Sequence, residues 1–163
     1  MTERLAERLL ALEDREAIRE LIARYGPLAD AGHADAIAAL WTDQGVYAVG
    51  GMGESVGHAA IAALIDGATH RSLMADGCAH VLSAPAIELC GDEATAWCHS
   101  IVLRHAENGW EPVRVAANRW QLVRVEAVWR VARRDNQLLD GSAEAQALFN
   151  LPTDRHQPPA VLP

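Results

Sequence analysis

Residues 21–40, with the sequence LIARYGPLADAGHADAIAAL, decide how the N-terminal part of the chain folds. Apolar residues at three- and four-residue steps predict a helix that stops here and starts again as a second helix. Gly32 is the predicted left-handed stop. Asp30 lies in the last turn of the first helix, where the helix dipole disfavours a carboxylate by about 0.3–1 kcal/mol. A residue that breaks a local rule without visible compensation is a candidate for a chemical role.

The sequence on both sides of this turn is also predicted to be mainly helical. Leu5, Leu9 and Leu12 form an apolar stripe that extends the first helix over residues 2–29. Pro27 weakens the last turn of that helix because proline has no N–H to donate. The elements that follow are a helix over 34–41, a strand over 46–49, a glycine-rich loop over 50–53 and a helix over 57–68.

In the second half of the chain the apolar residues alternate, which is typical of strands. The pattern predicts strands over residues 79–89, 94–105, 113–125 and 128–135, followed by a short helix over 143–149 that Ser142 caps. Helices followed by a long antiparallel meander predict an α+β fold. In such a fold a strongly curved sheet around the first helix would leave a cone-shaped cavity. We expect one domain over residues 1–151 and a disordered tail over 152–163, which holds four of the seven prolines.

The composition limits the classes of partner. With 22 acidic and 14 basic residues, the formal charge is −8, which argues against nucleic acid because phosphate binding needs a basic surface. Six arginines from Arg114 to Arg134 lie at strand-like spacing, which favours solvated sheet positions over an anion site. The N-terminus has neither the apolar core of a signal peptide nor a membrane span. The three cysteines suit free thiols, so we expect a soluble cytoplasmic protein without a membrane partner.

A small set of polar side chains could carry chemistry. His80 lies near the start of a strand, and a carboxylate such as Asp30 could fix its tautomer and make it a general base. The alternative is a rim histidine and an ordinary turn residue. Tyr25 and Tyr47 are the only tyrosines; each could orient a water, protonate a leaving group or simply pack in the core. Asn118 is disfavoured on a strand, so it bonds either to the backbone or to a polar ligand.

Other catalytic and metal-binding patterns are absent from the sequence. His99 and His105 share one strand face but lie about 20 Å apart at strand rise, so they cannot share a metal ion. The cysteines lack the spacing of zinc ligands. No serine has the G-x-S-x-G setting of a hydrolase nucleophile, and no phosphate-binding glycine motif occurs. We therefore expect no metal site.

Three parts of the sequence together resemble the nuclear transport factor 2-like (NTF2-like) superfamily. They are residues 15–47, His80, and the A-N-x(9)-V-W segment over residues 117–129. The chain is most similar to the SnoaL-like and scytalone dehydratase-like group, which also contains hexachlorocyclohexane dehydrochlorinase and bile acid 7α-dehydratase. The resemblance covers residues 12–149. It implies a cystatin-like α+β cone, in which a curved antiparallel sheet wraps around a long N-terminal helix.

The resemblance also implies roles for individual residues. Asp30 and His80 match the Asp–His dyad that these dehydratases and the dehydrochlorinase share, and Tyr25 matches a tyrosine of the bile acid enzyme. The residues that match scytalone dehydratase, and are therefore candidates for substrate binding, are Tyr47, His105 and Asn118. His99 is a further candidate for substrate binding.

The chain also departs from scytalone dehydratase at two positions. Ala29 stands where that enzyme has a tyrosine, and Ala116 stands where it has a serine. The substrate pocket therefore differs, and scytalone itself is not the expected substrate. The Cys78-x-His80 segment instead looks like the equivalent segment of the dehydrochlorinase.

The function implied is a cofactor-independent elimination or isomerisation on a small hydrophobic cyclic substrate, with His80 as the base. Two alternatives belong to other classes: a non-catalytic binding or assembly module of the same fold, and the small subunit of a ring-hydroxylating dioxygenase. Apolar positions on the outer sheet face predict a homo-oligomer, either a dimer or a trimer.

Overall fold

The computed structural model describes residues 2–152, with side chains from Arg4 onward. Among these residues, no helix has the length and apolar character needed to cross a lipid bilayer. The helices are α1 (Thr2–Asp30), α2 (Ala34–Ala38), α3 (Gly57–Asp66), α4 (Ala68–Asp76) and α5 (Ala143–Ala147). The strands are β1 (Trp41–Val49), β2 (Gly53–Val56), β3 (Cys78–Leu82), β4 (Ala86–Cys90), β5 (Glu93–Ala106), β6 (Gly109–Val125) and β7 (Val128–Leu138).

The seven strands form one curved sheet beside the long helix. Their order is β2-β1-β7-β6-β5-β3, and β4 also pairs with β5. All pairs are antiparallel except β1 with β7, which is parallel. β-Bulges occur at Val102/Leu103 and at Gln121/Leu122, and such bulges bend a sheet. The predicted α+β cone with a long N-terminal helix is therefore confirmed, with one parallel pair in the sheet.

The core lies between α1 and the concave face of this sheet. Ile18, Ile22 and Tyr25 from α1 are at most 4% exposed. They share one apolar cluster with Trp41 and Trp120 from the sheet. A helical stripe thus meets an alternating sheet face, which is the packing that the two periods in the sequence predict.

Four elements differ from the predictions. The second helix ends at Ala38, since Trp41 begins a strand that pairs with β7. Strand β2 and helix α4 were not predicted. The strand predicted over 79–89 is divided into β3 and β4 around Pro85, which cannot donate to a sheet. The tail prediction concerns mainly residues 153–163, which lie outside the described residues, and it stays a prediction.

Gly26 lets α1 approach β3 closely. A Cβ atom at this position would lie 2.1 Å from the carbonyl oxygen of His80, far inside van der Waals contact. The glycine therefore brings the end of the helix against the strand that carries His80. The sequence pattern assigned Gly26 only a weakening effect on the helix, whereas the structure gives it a packing role.

We expect Gly26→Ala to lower the free energy of unfolding by about 1–3 kcal/mol, as overpacked substitutions do. Helix propensity alone predicts the opposite, a gain of about 0.8–1 kcal/mol. Urea denaturation followed by circular dichroism measures the free energy of unfolding and distinguishes these two expectations. Ala23→Gly, at an exposed position of the same helix, is the control for propensity without a clash. A stabilised Gly26→Ala protein would contradict the close approach.

Candidate active site

Asp30 is held at the C-terminus of α1 by a well-defined helix end. Gly32 has φ +69°, the left-handed conformation that glycine adopts without strain. The N–H of His33 donates to the carbonyl of Leu28 at 2.9 Å, and the N–H of Gly32 donates to that of Ala29 at 3.0 Å. These two bonds form a Schellman motif, which confirms the predicted stop. The motif fixes the direction in which the Asp30 side chain leaves the helix.

The structure brings Asp30 and His80 into direct contact. Oδ1 of Asp30 lies 2.7 Å from Nδ1 of His80. The backbone N–H of His80 donates to both carboxylate oxygens, at 3.0 and 3.1 Å, and the Cys78 thiol donates to Oδ1 at 3.6 Å. These donors compensate the unfavourable helix dipole at Asp30. The irregularity in the sequence thus has its physical explanation on β3.

The environment of His80 suits a general base. Burial lowers the pKa of the imidazole, while the hydrogen bond and charge of Asp30 act in the opposite direction. The neutral ring therefore predominates at pH 7. Because Nδ1 faces the carboxylate, the neutral ring carries its proton there and leaves a lone pair on Nε2. Within residues 4–152, Nε2 makes no hydrogen bond, so it is free to accept a proton from a ligand.

A cavity of about 540 Å³ opens beside His80, a size that suits a small organic ligand. The helices α3 and α4 close one side of it, and the concave sheet face closes the other. Its apolar wall includes Val49, Leu64, Ile65, Leu73, Leu82 and Val102. The combination of an apolar wall and a few polar groups is typical of a binding site for an organic molecule.

The two tyrosines meet at this cavity. Their hydroxyl oxygens lie 3.3 Å apart, and both rings line the cavity wall. Burial raises the pKa of Tyr25; Tyr47 adds to this effect and Arg134 opposes it. The Tyr25 hydroxyl therefore stays protonated, and one proton of the pair is available to a ligand oxygen.

Arg134 lies beneath the tyrosines, where the sequence predicted a solvated sheet position. This expectation is wrong, because the side chain is only 1% exposed. Its guanidinium carbon lies 4.1 Å from the ring centre of Tyr25, 4.7 Å from that of Tyr47 and 4.2 Å from that of Trp120. Cross-strand pairing of Trp120, Arg134 and Tyr47 places them side by side on the inner sheet face.

Asn118 is fully buried and acts as a partner of Arg134. Its Oδ1 accepts hydrogen bonds from Nε and Nη2 of Arg134, at 3.0 and 2.8 Å. Its Nδ2 donates to Ser100 Oγ at 2.9 Å. Asn118 therefore bonds mainly to other side chains of the protein, and it does not line the cavity as the predicted substrate-binding residue would.

The two remaining candidates for substrate binding lie away from the cavity. His99 is exposed on the outer sheet face and stacks on Phe149, with ring centres 4.7 Å apart. His105 is exposed near the end of β5 and contacts Trp110. The alternation of β5 explains both positions, since the inward face carries the even-numbered Cys98, Ser100 and Val102. The structure does not bring either histidine to the site.

The sequence reasoning missed His70, which lines the cavity. Its ring centre lies 5.2 Å from that of His80, and its Nε2 hydrogen-bonds the carbonyl of Ala29 at 2.9 Å. His70 lies on α4, which carries no clear apolar stripe, so no periodic signal marked it. Arg134 could have been found from strand alternation, which places it on the same face as Asn136. Its positive charge instead favoured the prediction of a solvated position.

Asp30, Cys78 and His80 are also the described residues whose geometry could hold a metal ion, since their ligand atoms lie within 4.8 Å of one another. Burial raises the pKa of the Cys78 thiol to about 11, and the neighbouring Asp30 carboxylate adds to this effect. A metal ligand must be the thiolate. The three side chains fit a hydrogen-bonded cluster better than a metal centre.

The comparisons with known proteins agree with this fold. A sequence profile described as the SnoaL-like domain matches residues 10–135. The chain is 57% identical to an NTF2-like protein with a cystatin-like fold from Novosphingobium aromaticivorans, whose crystal structure superposes with a TM-score of 0.90. This match covers 93% of the chain and 98% of its relative. No curated protein matches the sequence significantly.

Two further solved structures from the same organism are more distant. One, provisionally named an aromatic ring hydroxylase, is 26% identical, covers 78% of this chain and 90% of its own, and has a TM-score of 0.65. The other, provisionally named a scytalone dehydratase, is 18% identical, covers 78% and 85%, and has a TM-score of 0.66. The second similarity concerns the fold alone.

We expect His80 to titrate below the ordinary histidine pKa of about 6.5, and Asp30→Asn to lower this pKa further. The substitution removes the charge and the hydrogen-bond acceptor that favour the imidazolium, while the burial stays. Histidine NMR titration of both proteins measures the shift. The exposed His99 and His105, which lie outside the cavity, are the internal controls. A rise of the His80 pKa in Asp30→Asn would contradict the pairing.

Proposed function

The chain belongs to the SnoaL-like domain family, and we propose that it is a cofactor-independent lyase or isomerase acting on a small hydrophobic cyclic substrate. One observation carries the proposal: the 2.7 Å contact between Asp30 Oδ1 and His80 Nδ1, at the wall of an organic-sized cavity. This contact aligns a neutral imidazole whose second nitrogen is free. Such an arrangement is the general base that proton abstraction from carbon requires.

The proposed reaction begins when Nε2 of His80 removes a proton from a carbon next to a carbonyl group. The carboxylate of Asp30 stabilises the imidazolium that forms, and the electron pair moves to the carbonyl oxygen. In an elimination, the carbon–oxygen bond of a β-hydroxyl group then breaks, and the hydroxyl leaves as water with the proton from His80. In an isomerisation, the same proton returns to another carbon.

The tyrosine pair supports the second part of this chemistry. The Tyr25 hydroxyl stays protonated at neutral pH, and the Tyr47 hydroxyl lies 3.3 Å from it. A pair of hydroxyls in a largely apolar cavity can donate a hydrogen bond to the developing oxyanion, an interaction that is stronger there than in water. The protonated Tyr25 hydroxyl cannot remove a proton itself, and we assign that role to His80.

A non-catalytic binding or assembly module is the alternative from another class. The distant similarity to a protein provisionally named an aromatic ring hydroxylase keeps the small-subunit alternative open. Neither role requires an imidazole aligned by a carboxylate beside a cavity, so the geometry favours the enzyme. The predicted homo-oligomer stays a prediction; Val81, Ile101 and Val115 form an exposed apolar row on the outer sheet face that a second copy could cover.

We expect His80→Ala to lower kcat/KM by about 10²–10⁴-fold, the range for removal of a general base. The probes are cyclic ketones with and without a β-hydroxyl group. Enone absorbance reports elimination, and deuterium uptake from D₂O, followed by NMR, reports proton removal. His105→Ala, outside the cavity, should retain full activity. Equal turnover by His80→Ala and the unmodified protein would exclude His80 as the base.

The pH profile provides an independent test. Because the base is neutral His80, kcat/KM should be constant above pH about 6.5 and fall tenfold per pH unit at acid pH. The midpoint should lie below 6.5, since burial lowers the His80 pKa. Asp30→Asn should move the midpoint to still lower pH. A midpoint above 6.5, or a rate independent of pH, would rule out this assignment.

A further inference from the structure

We infer that the natural ligand carries a carboxylate group and that Arg134 and Arg114 bind it inside the cavity. This inference rests on the proposed function only in taking the cavity as the substrate site. It changes the expected substrate from a purely hydrophobic ring to a ring system with one anionic end. Arg134 is a buried cation with a free donor, Arg114 is a second cation linked to it, and neither forms an ion pair with a described residue.

One N–H group of Arg134 lacks a hydrogen-bond partner in the described part of the chain. Its Nε and Nη2 donate to Asn118, but Nη1 is buried and has no partner within residues 4–152. Arg134 itself lines the cavity. Buried polar groups are nearly always hydrogen-bonded, and buried charges are normally paired. A ligand oxygen in the cavity would complete the set of acceptors.

Arg114 adds a second positive charge to the same cavity. Its Nε donates to Asn136 Oδ1 at 3.0 Å, and its Nη2 donates to the Gly50 carbonyl at 3.1 Å. Asn136 in turn donates to Asn118 Oδ1 at 2.9 Å. Hydrogen bonds in series therefore hold Arg114, Asn136, Asn118 and Arg134 in one network. The network orients both guanidinium groups before a ligand arrives, which lowers the entropy cost of binding.

No carboxylate of the described residues forms an ion pair with Arg134 or Arg114. The third arginine of the cavity wall, Arg104, is different because Glu111 pairs with it. Arg119, Arg124 and Arg133 also have acidic partners. Arg134 and Arg114 are therefore the two arginines of the cavity wall without an ion-pair partner among residues 4–152, and the acidic residue on that wall, Asp76, acts on Arg104.

A carboxylate matches these groups better than a neutral polar substituent does. Hydrogen bonds with two charged partners are stronger than those between neutral groups, and guanidinium groups recognise carboxylates with fixed geometry. The apolar wall can take the ring of the same molecule. Since His80 lines this cavity too, one ligand can contact both the arginines and the base.

The experiment compares 2-naphthoate with 2-naphthamide, which share a ring and differ in charge. Isothermal titration calorimetry measures the affinity of the full-length protein for each. We expect 2-naphthoate to bind about tenfold or more tightly, and expect this preference to be lost in Arg114→Gln and in Arg134→Gln. Arg130→Gln is the matched control: it also removes one arginine charge from the sheet, away from the cavity, and should keep the preference.

Circular dichroism shows which variants fold. If Arg134→Gln does not fold, the binding preference of Arg114→Gln is the test of the inference. Loss of the preference in either folded cavity variant, with Arg130→Gln unchanged, supports the inference. Equal affinity for the two probes, or a preference that survives in every folded variant, overturns it. Titrations on His80→Ala separate the two proposals. If the preference for 2-naphthoate is retained without turnover in the ketone assays, the inferred ligand class is supported and only the proposed reaction is rejected.

Discussion

The hydrogen bond between Asp30 and His80 is the contact on which the rest of the site depends. It joins the C-terminus of the longest helix to the strand β3, and it requires the close approach that Gly26 permits. A carboxylate at the negative end of a helix is unfavourable, yet here it accepts bonds from an imidazole, a backbone N–H and a thiol. The end of the helix and the orientation of the imidazole are thus fixed by one interaction.

The curved sheet supplies the second part of the site. Its inner face carries Tyr47, Arg134 and Trp120 in adjacent strands, with Tyr25 of the helix above them. Aromatic faces attract the guanidinium but cannot neutralise its charge. The result is a cavity with the imidazole of His80 on one wall, two tyrosine hydroxyls beside it and a cation beneath them.

Much of this was predictable because it depends on local pattern. The spacing of apolar residues predicted the long helix, and their alternation predicted the strands of the meander. Gly32 predicted where the helix ends. The pair Asp30–His80 was proposed from residue chemistry and from a family resemblance. The predictions failed for His99 and His105 as cavity residues, and for Arg134 as a solvated residue. In each case the residue was assigned to the wrong face of its strand, because alternation alone does not show which face is covered by the rest of the protein.

The sequence by itself determined the class of fold and a short list of polar residues with chemical potential, because helix ends, turns and periodicity are encoded within a few neighbouring residues. Only the tertiary structure decided which of those residues meet. Cross-strand register set Trp120, Arg134 and Tyr47 side by side, and the packing of α4 brought His70 onto His80. Register and helix packing arise from contacts between segments far apart in the chain, so no local pattern contains them.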